Sequence, residues 1–291
     1  MRIFLTGGTG FIGHHLIKRL LLDKYEIIAL KKKEKPIPKI FQNQKIKWVD
    51  GELGCSKLIN IPECDVLIHL AASGVKSNNR NWDQCLATNI FGIKELLDSI
   101  DNLKFKPIIF YPLTFYETIE YKSNYMDDNP YIVTKRVSTK IIDSWVNNTN
   151  ASKIIYGVIY QIYGLNDSNV DVLSYIKNQL NRNLPAKLGS KNNQRDWLYI
   201  DDLIQGIIES FSIQTKGIQR YDFGSGKLCT LEKISKKLAK TMGKPESLLH
   251  FNSVPDLYDT KIKEYAKDFV PGWAPKYSID RGILEFAGKN Y

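Results

Sequence analysis

The segment Thr6-Gly7-Gly8-Thr9-Gly10-Phe11-Ile12-Gly13 narrows what this chain can fold into more than any other stretch. It follows the apolar run Ile3-Phe4-Leu5 and opens a series, Phe11, Ile12, Leu16, Ile17, Leu20 and Leu21, whose spacing is helical. The order is strand, glycine turn, helix. That order suits a dinucleotide's pyrophosphate: glycines permit the tight turn and close backbone approach, and unpaired N–H groups at the helix start receive negative charge. The spacing Gly7-x-x-Gly10-x-x-Gly13, with a second strand at Glu26-Ile27-Ile28-Ala29-Leu30, favours this reading over glycines that only tighten a turn. Gly7, Thr9, Gly10, Phe11 and Ile12 are the cofactor contacts expected in the turn.

With 291 residues and 43% hydrophobic content, the chain can bury a large core as one domain or two. Strand-like runs at Ile3–Leu5, Ile27–Leu30, Ile46–Val49, Val66–Leu70, Ile108–Tyr111 and Ile154–Ile159 alternate with helical patterns near 11–23, 83–101 and 130–147. Such alternation predicts an α/β fold, a Rossmann-type doubly wound parallel sheet. Past Gly164 the pattern loosens into helices near 170–181, 201–213 and 230–241 and strands near 197–200 and 220–223. The expected division is a dinucleotide-binding domain over 1–164 and, over 165–291, mainly a smaller α/β substrate-binding cap, with some chain returning to the sheet.

No apolar run approaches the roughly 20 residues that span a bilayer, and Met1 leads directly into the first strand, so a soluble, cytoplasmic protein without a membrane partner is expected. Cys55, Cys64, Cys85 and Cys229 show neither metal-ligand spacing nor a secreted framework, which makes buried free thiols and no metal the expectation. The net charge of +10 would suit nucleic acid, but lysine, asparagine and isoleucine are abundant throughout and no nucleic-acid motif is present. A positive cleft for a polyanionic small molecule uses that charge equally well.

A carboxylate at the end of the second strand ordinarily holds the adenosine ribose 2′-hydroxyl and repels the extra phosphate of NADP. Here the strand ends Leu30-Lys31-Lys32-Lys33. Ammonium groups would attract that phosphate, so Lys31 and Lys32 are expected contacts and NADPH is favoured over NAD(H), against the alternative of a solvated lysine loop. Glu52 and Leu53, after the third strand, are placed near the adenine. His69-Leu70-Ala71-Ala72 ends the fourth strand in small residues, letting the backbone at Leu70, Ala71 and Ala72 approach the cofactor's middle.

Tyr131-Ile132-Val133-Thr134-Lys135 puts a phenol and an ammonium four residues apart on one helix face, with Val133, Val137, Ile141 and Trp145 turned toward a core. A nearby cation stabilises phenolate. Lys135 is therefore expected to pull the Tyr131 pKa down toward the range where it exchanges a proton with a substrate oxygen.

Together, the glycine turn, His69-Leu70-Ala71-Ala72, Tyr131-x-x-x-Lys135, Arg195-Asp196-Trp197-Leu198-Tyr199-Ile200-Asp201-Asp202, Tyr221-Asp222-Phe223-Gly224-Ser225-Gly226 and the closing Gly272-Trp273-x-Pro275-x-Tyr277-Ser278 carry a family likeness. They resemble an extended short-chain dehydrogenase/reductase of the NAD-dependent epimerase/dehydratase family acting on nucleotide sugars, over nearly the whole chain. In that family a Ser or Thr after the fifth strand bonds the reacting sugar oxygen, and Phe110-Tyr111-Pro112-Leu113-Thr114-Phe115-Tyr116-Glu117 leaves Thr114 for the role. The run Pro130-Tyr131-Ile132-Val133-Thr134-Lys135-Arg136, and its separation from Thr114, are similar to CDP-abequose synthases. This implies a place among 4-keto-6-deoxysugar reductases, near CDP-abequose, CDP-paratose and dTDP-fucose synthases.

Two departures matter. The Asp-Glu pair that follows the Thr in sugar 4,6-dehydratases is replaced by Phe115-Tyr116, so dehydration is not expected, and Glu117 is only a remote substitute for the missing base. The usual Arg and Asn about the sixth strand appear as apolar residues and Gln161.

The resemblance implies NADPH-dependent reduction of the 4-keto group of a CDP- or dTDP-linked 4-keto-6-deoxy or 3,6-dideoxy hexose, supplying deoxysugar to a surface polysaccharide such as the O-antigen of lipopolysaccharide. Tyr131 would protonate the forming alkoxide, Thr114 would position that oxygen, and Lys135 would hold the nicotinamide ribose. Asn89 matches a family helix position near the active site. Gln161 and Arg195 would contact substrate, Arg195 gripping the pyrophosphate as a bidentate fork unless it instead pairs with Asp196. A 4-epimerase that retains NAD and a non-catalytic dinucleotide-binding scaffold stay open as alternatives. Family analogy implies a homodimer built from the helices near 83–101 and 130–147.

Overall fold

A computed structural model describes residues 1–55, 59–75, 80–119, 129–148, 153–165, 171–214, 216–252 and 261–288. By internal contacts the chain forms two compact units: Met1–Val158 with Ile207–Tyr221, and Ile159–Gly206 with Asp222–Tyr291.

In the first unit, β1 (Arg2–Thr6) runs into α1 (Phe11–Leu22), followed by β2 (Glu26–Lys31), β3 (Ile46–Asp50) and β4 (Val66–His69). Next come α2 (Trp82–Cys85), a π-helical turn over Leu86–Phe91, α3 (Gly92–Asp101), β5 (Ile108–Thr114), α4 (Pro130–Asn148) and β6 (Ile154–Ile159). The strands form the expected Rossmann-type parallel sheet, here seven-stranded and ordered Ile218–Phe223, β6, β5, β4, β1, β2, β3. Central strands read as continuous apolar runs because helices cover both faces: Ile3, Phe4 and Leu5 of β1 and Val66, Leu67 and Ile68 of β4 are wholly buried.

The buried stripe of α1 is Gly13, Leu16, Ile17 and Leu20. Its C-terminus closes with Lys24 N–H bonded to the Leu21 carbonyl (3.1 Å) and Tyr25 N–H to the Leu20 carbonyl (3.0 Å), a Schellman turn that puts Lys24 at φ +59°.

α4 starts at a proline, which needs no N–H partner there, and the Asn129 side chain accepts from the Tyr131 N–H at 3.1 Å. Its inward face differs from the expected one. Ile132, Thr134, Lys135, Ser138 and Ile142 are buried, whereas Val137 is 45% exposed.

The second unit uses shorter pieces: β7 (Gln161–Tyr163), α5 (Val172–Asn181), β8 (Ala186–Ser190), β9 (Gln194–Tyr199), the start of α6 (Ile200–Phe211), and, beyond β10 (Ile218–Phe223), β11 (Leu228–Thr230), α7 (Leu231–Met242), β12 (Leu249–Asn252) and α8 (Ile279–Ala287). β11, β9 and β7 form one sheet; β12 and β8 pair in parallel as another. The helix expected from position 170 begins at Val172, and 170 itself lies outside the described residues. Asp171, Thr230 and Ser278 cap α5, α7 and α8, each accepting from N–H groups of the first turn. Cys64, Cys85 and Cys229 are buried free thiols; Cys55, contrary to expectation, is exposed. Among the described residues no helix is long and apolar enough to cross a membrane.

Candidate functional site

The glycine turn fits a pyrophosphate on structural grounds. Gly7 sits at φ +73°, and a Cβ there would meet the Leu70 carbonyl carbon and the Ala71 nitrogen at 2.6 Å. A Cβ on Gly13 would lie 2.3 Å from the Gly7 carbonyl oxygen. Only hydrogen leaves room at either position. Gly10 caps α1 without any side-chain bond, and the first turn carries no acidic residue, so the positive end of the helix is uncompensated by side chains.

Behind this turn the ends of β1 and β4 are latched. Ala71 N–H donates to Thr6 Oγ1 (3.2 Å), and Thr6 Oγ1 lies 2.8 Å from His69 Nδ1. Either of these two atoms can be the donor. Burial first, and the charge of Lys135 second, push the His69 pKa down to about 3, so the ring is neutral.

At the ends of β2 and β3 the electrostatics differ from the expectation. Lys31 Nζ is bonded to Asp50 Oδ1 at 2.5 Å, and Lys32 pairs with Glu52. Two carboxylates from the β3 end thus offset two of the ammonium groups expected to draw a 2′-phosphate. Glu52, expected near the adenine, is turned to Lys32, which holds its carboxyl below the ordinary value. Leu53 is buried.

β5 and α4 carry Thr114, Tyr131 and Lys135, the residues expected to react. Thr114 closes β5 and caps a 3-10 turn over Phe115–Glu117. Its hydroxyl oxygen accepts from the Tyr116 N–H (3.4 Å), while its own N–H donates to Glu117 Oε1 (2.9 Å). Glu117 Oε2 accepts from Thr139 Oγ1 on α4 at 3.1 Å. Lys135 Nζ stands 3.7 Å from the centroid of the Tyr111 ring on β5, a cation–π seat. The Tyr111 ring also stacks with His69 at 5.7 Å, and its hydroxyl bonds to Ser138 Oγ at 2.7 Å.

Lys135 does not draw the Tyr131 phenol down as expected. Burial pushes that phenol well above the ordinary tyrosine value; Glu117, Tyr111 and Tyr116 add to the rise, and Arg80 opposes it. Lys135 itself is pushed down to about 8 by burial, against the pull of Glu117. The phenol is thus held as an acid, with the turn bearing Thr114 in its electrostatic neighbourhood.

Asn89 sits in the π-helical turn with its amide in use: Oδ1 accepts from Ser73 N–H (2.9 Å), and Nδ2 donates to the Ser73 carbonyl (3.0 Å) and to Thr134 Oγ1 (2.9 Å). It ties the segment after β4 to α4. Arg80 and Glu117 are the neighbours of Tyr131 that sequence reasoning missed in these roles. The signal for Glu117 was present as the Thr-x-x-Glu spacing of a capping box.

In the second unit, Gln161 lies on β7 opposite Trp197 of β9. Arg195 on β9 donates to the Gln194 carbonyl at 2.7 Å. Asp196 is committed elsewhere: its carboxylate accepts from Ser225 N–H and Oγ (both 2.6 Å), Gly226 N–H (3.0 Å) and Ala266 N–H (2.9 Å).

Residues 3–217 match the profile of the family described as the NAD dependent epimerase/dehydratase family. The chain belongs to that family. Over 97% of its length it is 25% identical to a CDP-abequose synthase of Salmonella muenchen, covering 95% of that protein. It is 24% identical to a putative UDP-glucose 4-epimerase of Methanocaldococcus jannaschii, with 97% and 95% of the two chains covered. Its fold is that of a UDP-glucose 4-epimerase of Thermotoga maritima solved with UDP-glucose: TM-score 0.83 at 18% identity, covering 99% of this chain and 98% of the other. A dTDP-glucose 4,6-dehydratase of Bacillus anthracis in complex with NAD shares it too, with TM-score 0.80, 20% identity and coverage of 99% and 96%.

Proposed function

We propose that this member of the family reduces the 4-keto group of a nucleotide-linked 4-keto-6-deoxyhexose, with CDP or dTDP as the nucleotide and NADPH as the reductant. The observation that supports the reading is the seating of the Thr114 turn on the helix that bears Tyr131 and Lys135, through Glu117 and Thr139. Burial and Glu117 raise the Tyr131 phenol, which favours the protonated form that a reductase needs as its acid. A bound nicotinamide coenzyme would supply the hydride. Thr114, whose oxygen accepts from Tyr116, keeps its own hydrogen for the sugar oxygen. Lys135 would hold the nicotinamide ribose. Arg195 and Gln161 would meet the nucleotide sugar, the Arg195 guanidinium as a fork for its phosphates.

NADPH is favoured because β2 ends without a carboxylate, and the Lys32–Glu52 pair is exposed on both sides (49% and 43%), so it can yield to a phosphate at little cost. Exposed Trp82, Leu86, Phe91 and Val137 on α2, the π-turn and α4 are the apolar surface of the homodimer inferred for the protein.

A second reading, an NAD-retaining 4-epimerase, gains from the same ion pairs, since Asp50 and Glu52 cancel part of the preference for a 2′-phosphate. Incubation with CDP- and dTDP-4-keto-6-deoxyhexoses and either NADPH or NADH, and separately with 4-hydroxy sugar nucleotides and NAD, separates the two. Stoichiometric loss of NADPH absorbance with formation of the 4-hydroxy product is expected. Inversion of a sugar without net coenzyme consumption would establish the epimerase instead. Tyr131→Phe should keep coenzyme affinity and lose about 10²- to 10⁴-fold in kcat. Undiminished turnover in that variant removes Tyr131 as the acid.

A further inference from the structure

We propose that Glu117 is a positioning residue, one carboxylate oxygen holding the turn that carries Thr114 and the other holding the helix that carries Tyr131 and Lys135. The inference rests on the reading of Thr114 and Tyr131 as partners in one reaction.

Thr114 stands at the end of a strand, followed by a 3-10 turn of three residues, a short element with little stability of its own. Glu117 closes it. Its Oε1 takes the Thr114 N–H at 2.9 Å and the Thr114 hydroxyl takes the Tyr116 N–H at 3.4 Å, so the turn is boxed at both ends. A capping box needs only one carboxylate oxygen, and here the second reaches out of the turn to Thr139 Oγ1 at 3.1 Å. Thr139 lies four residues past Lys135 and eight past Tyr131, on the same helical face. Its one hydroxyl hydrogen is shared between Glu117 Oε2 and the Lys135 carbonyl at 3.0 Å, which seats it against the backbone of the residue that bears the amine. Shifting the Thr114 turn along α4 therefore means breaking a charge-assisted bond at one end of the carboxylate or the other.

The same arrangement argues against Glu117 as a base. Each oxygen already accepts from a protein donor, and taking a substrate proton would open the box that holds Thr114. What the carboxylate fixes is the separation between a hydroxyl on β5 and a phenol on α4. Misplacement of such groups by about 1 Å can cost ~10²-fold in rate.

Glu117→Ala should lower kcat for the 4-keto sugar about 10- to 100-fold while KM stays within about twofold. Glu117→Gln keeps an acceptor for the Thr114 N–H and offers an N–H to Thr139 Oγ1, and should recover most of the loss. Amide hydrogen exchange over residues 113–118, read without substrate, should quicken in the Ala variant and stay parental in the Gln variant. Thr139→Val leaves the box intact and should lower kcat without quickening exchange at Thr114; it stands in if the Ala variant does not fold. Parental kcat in Glu117→Ala or Thr139→Val, a change confined to KM, or a Gln variant as slow as Ala overturns the positioning role. Should the parent reduce no 4-keto sugar, the reductase reading fails by itself, and exchange decides the clamp: quickening in Ala but not in Gln upholds it, and equal rates overturn it.

Discussion

Lys135 is 3% exposed, and the Tyr111 ring face is its seat. Its proton leaves near pH 8 in the folded protein against 10.5 for the free side chain, so the unfolded chain binds more protons between those values and parental stability rises with pH across that window. Below pH 8 the full cost of the buried charge is present, about 3 kcal/mol from the shift and already net of the cation–π attraction, of which roughly 1–2 kcal/mol would be lost again to the changed packing of a replacement side chain. Lys135→Met should therefore abolish turnover yet stabilise the coenzyme-free protein by about 1–2 kcal/mol at neutral pH, the gain shrinking as pH approaches 10.5. Urea unfolding of both proteins at neutral and alkaline pH measures it, and a destabilised variant at neutral pH would contradict it. The spacing of Tyr131 and Lys135 is legible in the sequence because helical geometry fixes it. Whether the ammonium faces the phenol or the Tyr111 ring is not, because that depends on what β5 presents across the interface. The same holds for Lys31 and Lys32, whose partners Asp50 and Glu52 arrive from the end of another strand.

At the scale of elements, α1 and α7 close with the same Schellman turn but with different residues at the left-handed position: Lys24 at φ +59° and Gly243 at φ +68°. A side chain is strained there, so Lys24→Gly should raise stability by about 0.5–1 kcal/mol, read as a higher thermal midpoint with unchanged cooperativity. A drop would show that the lysine side chain compensates locally. Strands β1 to β6 and helices α1 and α4 are legible because each carries enough apolar residues to display a period. β11 has three residues and β8 and β12 have five and four, too few to separate strand from loop. α8, with apolar Ile279, Ile283 and Phe286, is helical in pattern but follows the irregular stretch 261–278, which hides it. The π-helical turn at Leu86–Phe91, from which Asn89 reaches both Ser73 and Thr134, leaves no compositional trace.

For the whole molecule, the inferred dimer is the quantity most open to test. Phe91 is 56% exposed on the first unit, near exposed Trp82 and Leu86 on the same run of helix. Phe91→Lys should halve the mass seen by light scattering while leaving the circular dichroism spectrum alone; an unchanged mass would place the contact elsewhere or show the parent to be a monomer. Chain connectivity has a separate consequence. The strand Ile218–Phe223 borders β6, yet in the sequence it lies beyond Ile159–Gly206, most of which builds the other unit. On the ribosome, where roughly 5–20 residues emerge each second, β6 must therefore wait with a bare hydrogen-bonding edge while that intervening stretch is synthesised. Translation speed across those codons, and whatever shields a nascent edge, bear on how much of the protein reaches its native state.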